Sequence, residues 1–173
     1  MRTQAKRGFT LIELLVVIAI IGLLSTLAVV AMSNARQKAR DAKRVSDIKQ
    51  IQSALDLYAT DKNGYPGVEA ALELGGTGAV CLDNATGFKG SGCADPTYMG
   101  LVPKNPSPNG TAYTYTSHGD AANAIACATG PCVNYKLTFT LEADTGELKA
   151  ATSGKKPYCT ATSGGITCAD PPA

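Results

Sequence analysis

The sequence predicts an α+β fold: a long N-terminal α-helix, with a transmembrane half and an amphipathic half, packed on a small antiparallel β-sheet. Three observations carry this expectation. Residues 14–35 hold no charged side chain. As a helix rising about 1.5 Å per residue they span roughly 33 Å, enough to cross a hydrocarbon core of about 30 Å. Next, Ile48, Ile51, Leu55 and Tyr58 fall within an arc of about 80° at about 100° per residue, the pattern of a helix with one buried face. Finally, "CVNYKLTFTLE" alternates as a strand does. Val133, Tyr135, Leu137, Phe139 and Leu141 share one face; Asn134, Lys136, Thr138, Thr140 and Glu142 share the other.

A chain of 173 residues suffices for one head with its own core plus a membrane segment, not for two large cores. The net charge is +2, and it conceals an asymmetry. Residues 36–50 form a basic collar of Arg36, Lys38, Arg40, Lys43, Arg44 and Lys49 against Asp41 and Asp47, while the chain beyond is acidic. All six cysteines lie beyond residue 80: Cys81, Cys93, Cys127, Cys132, Cys159 and Cys168. An even count beyond a membrane segment indicates disulfides and an oxidising compartment. Pairing nearest neighbours gives 81–93, 127–132 and 159–168, one of many connectivities the sequence permits. Zinc is disfavoured, because there is no Cys-x2-Cys and the lone His118 is far from any cysteine. No metal and no cofactor is expected.

The apolar run is too long for a cleaved secretory signal. A plain signal anchor fits the length but leaves Glu13 unexplained, since a carboxylate costs a few kcal/mol deep in a bilayer and less near its edge. The remaining reading is a helix stored in the membrane and later moved into a protein assembly. Counting the bases on each side of the span places the C-terminal side in the cytoplasm; the cysteines place it outside, and three disulfides outweigh the count.

The stretch Arg7-Gly8-Phe9-Thr10-Leu11-Ile12-Glu13, its short basic leader and the following "LLVVIAIIG" resemble the class III signal sequence of type IV prepilins and type II secretion pseudopilins. The resemblance implies a pilin-like ladle, with a leader at 1–8, a hydrophobic transmembrane and assembly helix at 9–35, its amphipathic continuation at 36–63 and a β-rich head at 64–173. It implies cleavage between Gly8 and Phe9 by a prepilin peptidase, N-methylation of Phe9, and a role for Glu13 in assembly. A buried carboxylate is unfavourable alone and tolerable beside a cation; the Phe9 amine of a neighbouring subunit is such a cation. Many relatives carry a proline where this chain has Val30, at a place where the helix melts in the filament. Gly22 and Ser25 are the weak points here, so any unwound stretch is expected at 22–25.

Beyond the span, "MSNARQKARDAKRVSDIKQIQSALDLYATDKNGYP" continues helically, giving one helix over about 10–61, roughly 78 Å long. Lys43 and Asp47, and Arg44 and Asp47, are spaced for ion pairs. Asn63-Gly64 and Tyr65-Pro66 supply the stop. The collar has four readings: lipid head groups before extraction, acidic heads of neighbours, DNA, or a solvated face. In the head, residues 68–74 are expected as a helical turn. The Gly-rich 75–96 reads as a variable loop closed by Cys81 and Cys93. "YMGLVPKNPSPNGTAYTYTS" resembles the pilin-family step into the first strand, with Tyr113 and Tyr115 alternating. Residues 143–146 read as a turn, 147–152 as a strand, Cys127 and Cys132 as closing a hairpin, and the tail "PYCTATSGGITCADPPA" as a stapled loop. His118 reads as an exposed loop residue with no catalytic partner. Asn84-Ala85-Thr86 and Asn109-Gly110-Thr111 match a glycosylation sequon.

The leading expectation is therefore a non-enzymatic subunit of a type IV pilus-like extracellular filament, with functions such as adhesion or motility. It is held in the cytoplasmic membrane, head outside, and built into a helical homo-oligomer by an inner-membrane assembly platform. The alternatives are a pseudopilin of a type II secretion system, in a periplasmic pseudopilus, and a DNA-uptake pilin. "LDLYATDKNGYP" followed by "VEAALEL" resembles the major pseudopilin. The six cysteines and the missing acidic calcium-loop signature weigh against it.

Overall fold

Helix α1 runs from Leu11 to Lys62 in the computed structural model, which describes residues 8–146, 148, 150 and 155–172. Thr10 caps its start. At its end Asn63 takes a positive φ of 58°, and the Gly64 N–H returns to the Ala59 carbonyl at 3.2 Å, the bond that closes a Schellman motif. The chain divides into two compact units, residues 1–37 and 38–173.

In the first unit, α1 is apolar and exposed along its length. Leu11, Leu23, Val29 and Val30 are all more than 60% accessible. Such a surface has no counterpart on an ordinary soluble face, and α1 is long and apolar enough to cross a membrane. The helix is unbroken through Gly22 and Ser25. That describes the isolated chain; the expected unwinding concerns the filament.

The second unit holds the core. Ile48, Ile51, Leu55 and Tyr58 of α1 are buried as the periodicity requires. They pack in one cluster with Tyr113, Tyr115, Tyr135, Leu137, Phe139 and Ala161. The sheet they cover has five antiparallel strands: β1 (Leu72–Glu73), β5 (Thr114–His118), β6 (Asn134–Thr140), β7 (Tyr158–Thr162) and β8 (Gly165–Ala169), in that order. Aromatic rings cross the sheet: Tyr115 stacks on Tyr135 at 6.1 Å and Tyr113 meets Phe139 edge-on at 6.5 Å. Each such buried side chain contributes about 1.5–3 kcal/mol. A second sheet, β3-β2-β4, comprises β2 (Cys81–Asp83), β3 (Gly87–Lys89) and β4 (Thr97–Met99).

Several expectations for the head change. Residues 68–74 are not a helical turn: Leu72 and Glu73 form β1, pairing with Tyr115 and Thr114, because Leu72 packs toward the core. The Gly-rich 75–96 is not a simple loop. Leu82 and Ala79 are fully buried, and that burial folds it into the small sheet. The tail is a hairpin rather than a loop, with β7 paired to β6. His118 ends β5 half-buried, its Nε2 3.1 Å from Thr116 Oγ1. Within "CVNYKLTFTLE" the alternation breaks at both ends: Val133 is 61% exposed and Asn134 is buried. Asn134 is held by its Nδ2 bond to the Ala121 carbonyl and by Ser163 Oγ. The strand expected at 147–152 lies largely outside the described residues; of it Leu148 and Ala150 are described, Leu148 exchanging bonds with Thr145 and the Ala150 N–H donating to Asp144 Oδ1 at 3.0 Å.

The disulfides are Cys81–Cys93, Cys127–Cys132 and Cys159–Cys168. The Cys127–Cys132 loop lies against the chain leaving α1: Tyr65 and Cys132 exchange two backbone bonds of 2.9 Å. A Cβ on Gly67 would stand 2.5 Å from the Gly130 nitrogen, so only glycine fits there.

Leu137→Ala should cost about 2–5 kcal/mol in denaturant unfolding of the detergent-solubilised chain. Lys136→Ala, on the opposite face of β6, should change stability by no more than about 0.5 kcal/mol.

Candidate assembly site

The N-terminal end of α1 is closed by two side chains. Glu13 Oε2 accepts the Thr10 N–H at 2.8 Å and the Thr10 hydroxyl at 2.7 Å. The Glu13 N–H returns to Thr10 Oγ1 at 3.3 Å. This is a capping box, Thr-x-x-Glu, in which side chains satisfy donors that the first turn leaves orphaned. It gives Glu13 a local partner, which the sequence reading missed although the four-residue signature is legible. Glu13 Oε1 has no partner among the described residues. Gly8 and Phe9 are exposed, with no atom near the Gly8 Cβ direction.

The second charged group belongs to the head. Arg44 is completely buried, and each nitrogen of its guanidinium is used. Its Nε donates to Asn105 Oδ1 at 2.8 Å. Nη1 donates to Asp41 at 2.6 Å and Glu142 at 2.8 Å. Nη2 donates to the carbonyls of Pro106 and Asn109, at 3.1 and 2.5 Å, with a longer contact to Pro108. Arg40 grips Glu142 with two bonds of 2.6 Å, the bidentate geometry that makes an arginine–carboxylate pair strong. Asp41 accepts the backbone N–H groups of Glu142 and Ala143 at 3.0 and 3.1 Å. Two arginines and two carboxylates thus neutralise one another and join α1 to the turn after β6 and to residues 105–109. The bonds from Arg40, together with those from Arg44, hold the Glu142 carboxyl at about 2 against an ordinary 4.5.

This arrangement corrects the collar. Arg44 is an internal structural group and the half-buried Arg40 is tied to it through Glu142; Arg36, Lys38 and Lys49 remain exposed. Lys43 pairs with Asp47 at 3.1 Å as expected. Arg44 pairs with Asp41 instead of Asp47, because Asp47 turns to the Tyr113 hydroxyl at 3.1 Å. Glu142, expected on the outer face of its strand, turns inward to the two arginines. A signal for this existed: Asp41 and Arg44 extend the three-and-four spacing of Ile48, Ile51, Leu55 and Tyr58.

Another buried acid, Asp83, organises the small sheet. Its carboxylate accepts the N–H groups of Ala85, Thr86 and Ala94 at 2.9–3.1 Å. Burial pushes this carboxyl up, but those bonds together outweigh it and hold it below its ordinary value. Among the described residues no group of His, Cys, Asp and Glu is placed to hold a metal ion.

Comparison with known proteins adds to this geometry. Residues 3–29 match the family profile described as a prokaryotic N-terminal methylation motif. Residues 31–131 match that of type II secretion system (T2SS), protein G. The chain belongs to the type II secretion system protein G family. The type II secretion system core protein G of Pectobacterium carotovorum is 34% identical over 126 residues, covering 73% of this chain and 76% of the relative. The Escherichia coli protein of that name is 38% identical over 122 residues, or 68% and 83%. The one from Klebsiella michiganensis is 47% identical over 73 residues, so the chain spans 51% of that relative's length. No match was found among solved structures.

Membership in the protein G family supports the secretion alternative better than the leading expectation of a type IV pilus subunit. The cysteines had weighed the wrong way. Each disulfide closes a short local segment, of sequence separation 12, 5 or 9.

Glu142→Gln should destabilise the head by about 3–5 kcal/mol at neutral pH, the cost of breaking one partner of a buried pair. Glu142 is ionised in the fold down to about pH 2 and in the unfolded chain only above about 4.5. Its contribution is therefore complete above about 4.5 and lost as pH falls toward 2. Unfolding of wild type and variant from pH 7 to pH 2 should show the gap close across that window.

Proposed function

We propose that this chain is a pseudopilus subunit of a type II secretion system. It is made with the leader 1–8, held in the cytoplasmic membrane with its head outside, and cut between Gly8 and Phe9. Phe9 is N-methylated, and the mature subunit joins a helical filament in the periplasm through its apolar helix. The observation that carries the reading is the family match over residues 31–131, joined to a methylation motif at 3–29. The exposed, uncharged stretch of α1 over residues 14–35 supports it, since a side-chain surface of that kind needs lipid or other helices around it.

The physical logic of Glu13 follows from its two oxygens. Thr10 satisfies Oε2 within the same chain, which lowers the cost of holding a carboxylate near the membrane edge. Oε1 is left for the amine that cleavage creates on a neighbouring Phe9, and a charge pair in low dielectric is worth far more than one in water. Processing thus creates the cation that the stored helix lacks. The subunit is structural, and its partners are its own copies, the prepilin peptidase and the assembly platform in the inner membrane.

Glu13→Ala should be cleaved and methylated normally yet yield at least about tenfold fewer filaments, one missing charge pair of about 1.4 kcal/mol per contact sufficing for that factor. Mass spectrometry of the mature terminus and electron microscopy of sheared material measure the two effects. Normal fibre yield from that variant would remove the pairing account. Deleting the chain should abolish export of the system's secreted proteins and leave any surface pili intact. Loss of surface pili with export intact would return the function to a type IV pilus.

A further inference from the structure

Asn109 and Gly110 form an exposed pair in the loop before β5. Asn109 takes a positive φ of 65°, a region that asparagine visits more readily than most residues with a side chain. Its side-chain amide has no partner among the described residues. Its main-chain carbonyl, in contrast, is gripped: Arg44 Nη2 donates to it at 2.5 Å. That oxygen belongs to the same peptide unit as the Gly110 nitrogen, and resonance shares charge between the two atoms. A guanidinium on the oxygen therefore favours loss of the proton from the nitrogen, as a donor aimed at a developing oxyanion does. The Gly110 N–H makes no hydrogen bond among the described residues, so no bond opposes that loss.

The other asparagines are guarded. Asn63 also precedes a glycine and also has a positive φ. There, however, the Gly64 N–H is bonded to the Ala59 carbonyl at 3.2 Å. Gly64 is also hemmed in, since a Cβ on it would stand 2.7 Å from the Cys132 carbonyl oxygen and from the Pro131 side chain. The N–H groups that follow Asn84 and Asn123 are bonded to the carboxylates of Asp83 and Asp120. The one that follows Asn134 is bonded to the Asn134 side chain. Asn34 lies within α1, and Asn105 precedes Pro106, which has no N–H.

We propose that Asn109 is a self-modification site, converted to aspartate and isoaspartate through attack by the Gly110 backbone nitrogen. That nitrogen gives its proton to hydroxide and attacks Asn109 Cγ. The new C–N bond closes a cyclic imide as the Cγ–Nδ2 bond breaks, and the side-chain nitrogen leaves as ammonia with a proton from water. Water then opens the imide at either carbonyl. Water is consumed and ammonia released, with no change of oxidation state. Opening at the main-chain carbonyl gives isoaspartate, and that carbonyl becomes the free carboxylate. It is the group that meets Arg44, so the modification adds a negative charge at the edge of the buried cluster.

The test incubates the full chain in detergent at mildly alkaline pH and follows each asparagine by peptide mass spectrometry. Asn109 should lose its amide at least about tenfold faster than Asn63, whose attacking N–H must first be freed by local opening. In urea, where neither glycine is held, the two rates should converge. Aspartate and isoaspartate should both appear at position 109, with isotopically labelled water marking their carboxylates. Amide hydrogen exchange reads the first step alone: the Gly110 N–H should exchange at least as fast in the fold as in urea, and the Gly64 N–H at least about tenfold more slowly in the fold. Asn109→Gly keeps the backbone conformation and the carbonyl that Arg44 needs, and it should stop the gain of negative charge. Asn63 reacting as fast as Asn109 in the fold would overturn the proposal. So would aspartate without isoaspartate, an undiminished gain of charge in the Asn109→Gly variant, or exchange at Gly110 that is slower in the fold than in urea. These readouts concern one loop, so they stand apart from fibre formation and export.

Discussion

The head depends on the burial of Arg44. A guanidinium removed from water is tolerable only if its charge is neutralised and its donors are all taken. Here Asp41 and Glu142 supply the charge, while Asn105 and the carbonyls of residues 106–109 take the rest. The consequence reaches across the unit. Satisfying one side chain fixes the loop before β5, the turn after β6 and the register of α1 against both. Replacing the cluster by apolar groups of similar volume costs little in many proteins, whereas removing one partner leaves an unpaired buried charge. The network therefore specifies an arrangement more than it adds stability.

The opposite principle governs the first unit. There the helix exposes nearly every apolar side chain, and its one carboxylate is held by Thr10. In the head one cluster of charges is inside and hydrogen-bonded; in the N-terminal helix the apolar groups are outside and wait for surroundings of their own kind. Both arrangements follow from one rule, that a group is placed where its hydration cost is met.

Much of the fold was legible because periodicity reports burial directly. The stripe Ile48, Ile51, Leu55 and Tyr58, the alternation of Tyr135, Leu137, Phe139 and Leu141, and the stop at Asn63-Gly64 are local patterns with local causes. The nearest-neighbour cysteine pairs are short-range as well, and they stand as the disulfides. What failed was tertiary. Leu72 and Glu73 are a strand only because Tyr115 and Thr114 lie alongside. Leu82 pulls a Gly-rich segment into a sheet by being buried. Asp41 and Glu142 are about a hundred residues apart, so no window of sequence contains the pair. The capping box is the exception: it was readable at Thr10 and Glu13, and the expectation of a membrane misfit concealed it.

By itself the sequence determined the uncharged span, the one carboxylate at its start, the helix that follows and the short spacing of its cysteine pairs. These follow from composition and spacing along a few turns, where the relevant forces are local. The tertiary structure decided which base of the collar is internal, where Glu142 points, and which strands stand side by side in the sheet. Those outcomes depend on which distant groups compete for the same donor or the same neighbour, and only the folded chain brings the competitors together.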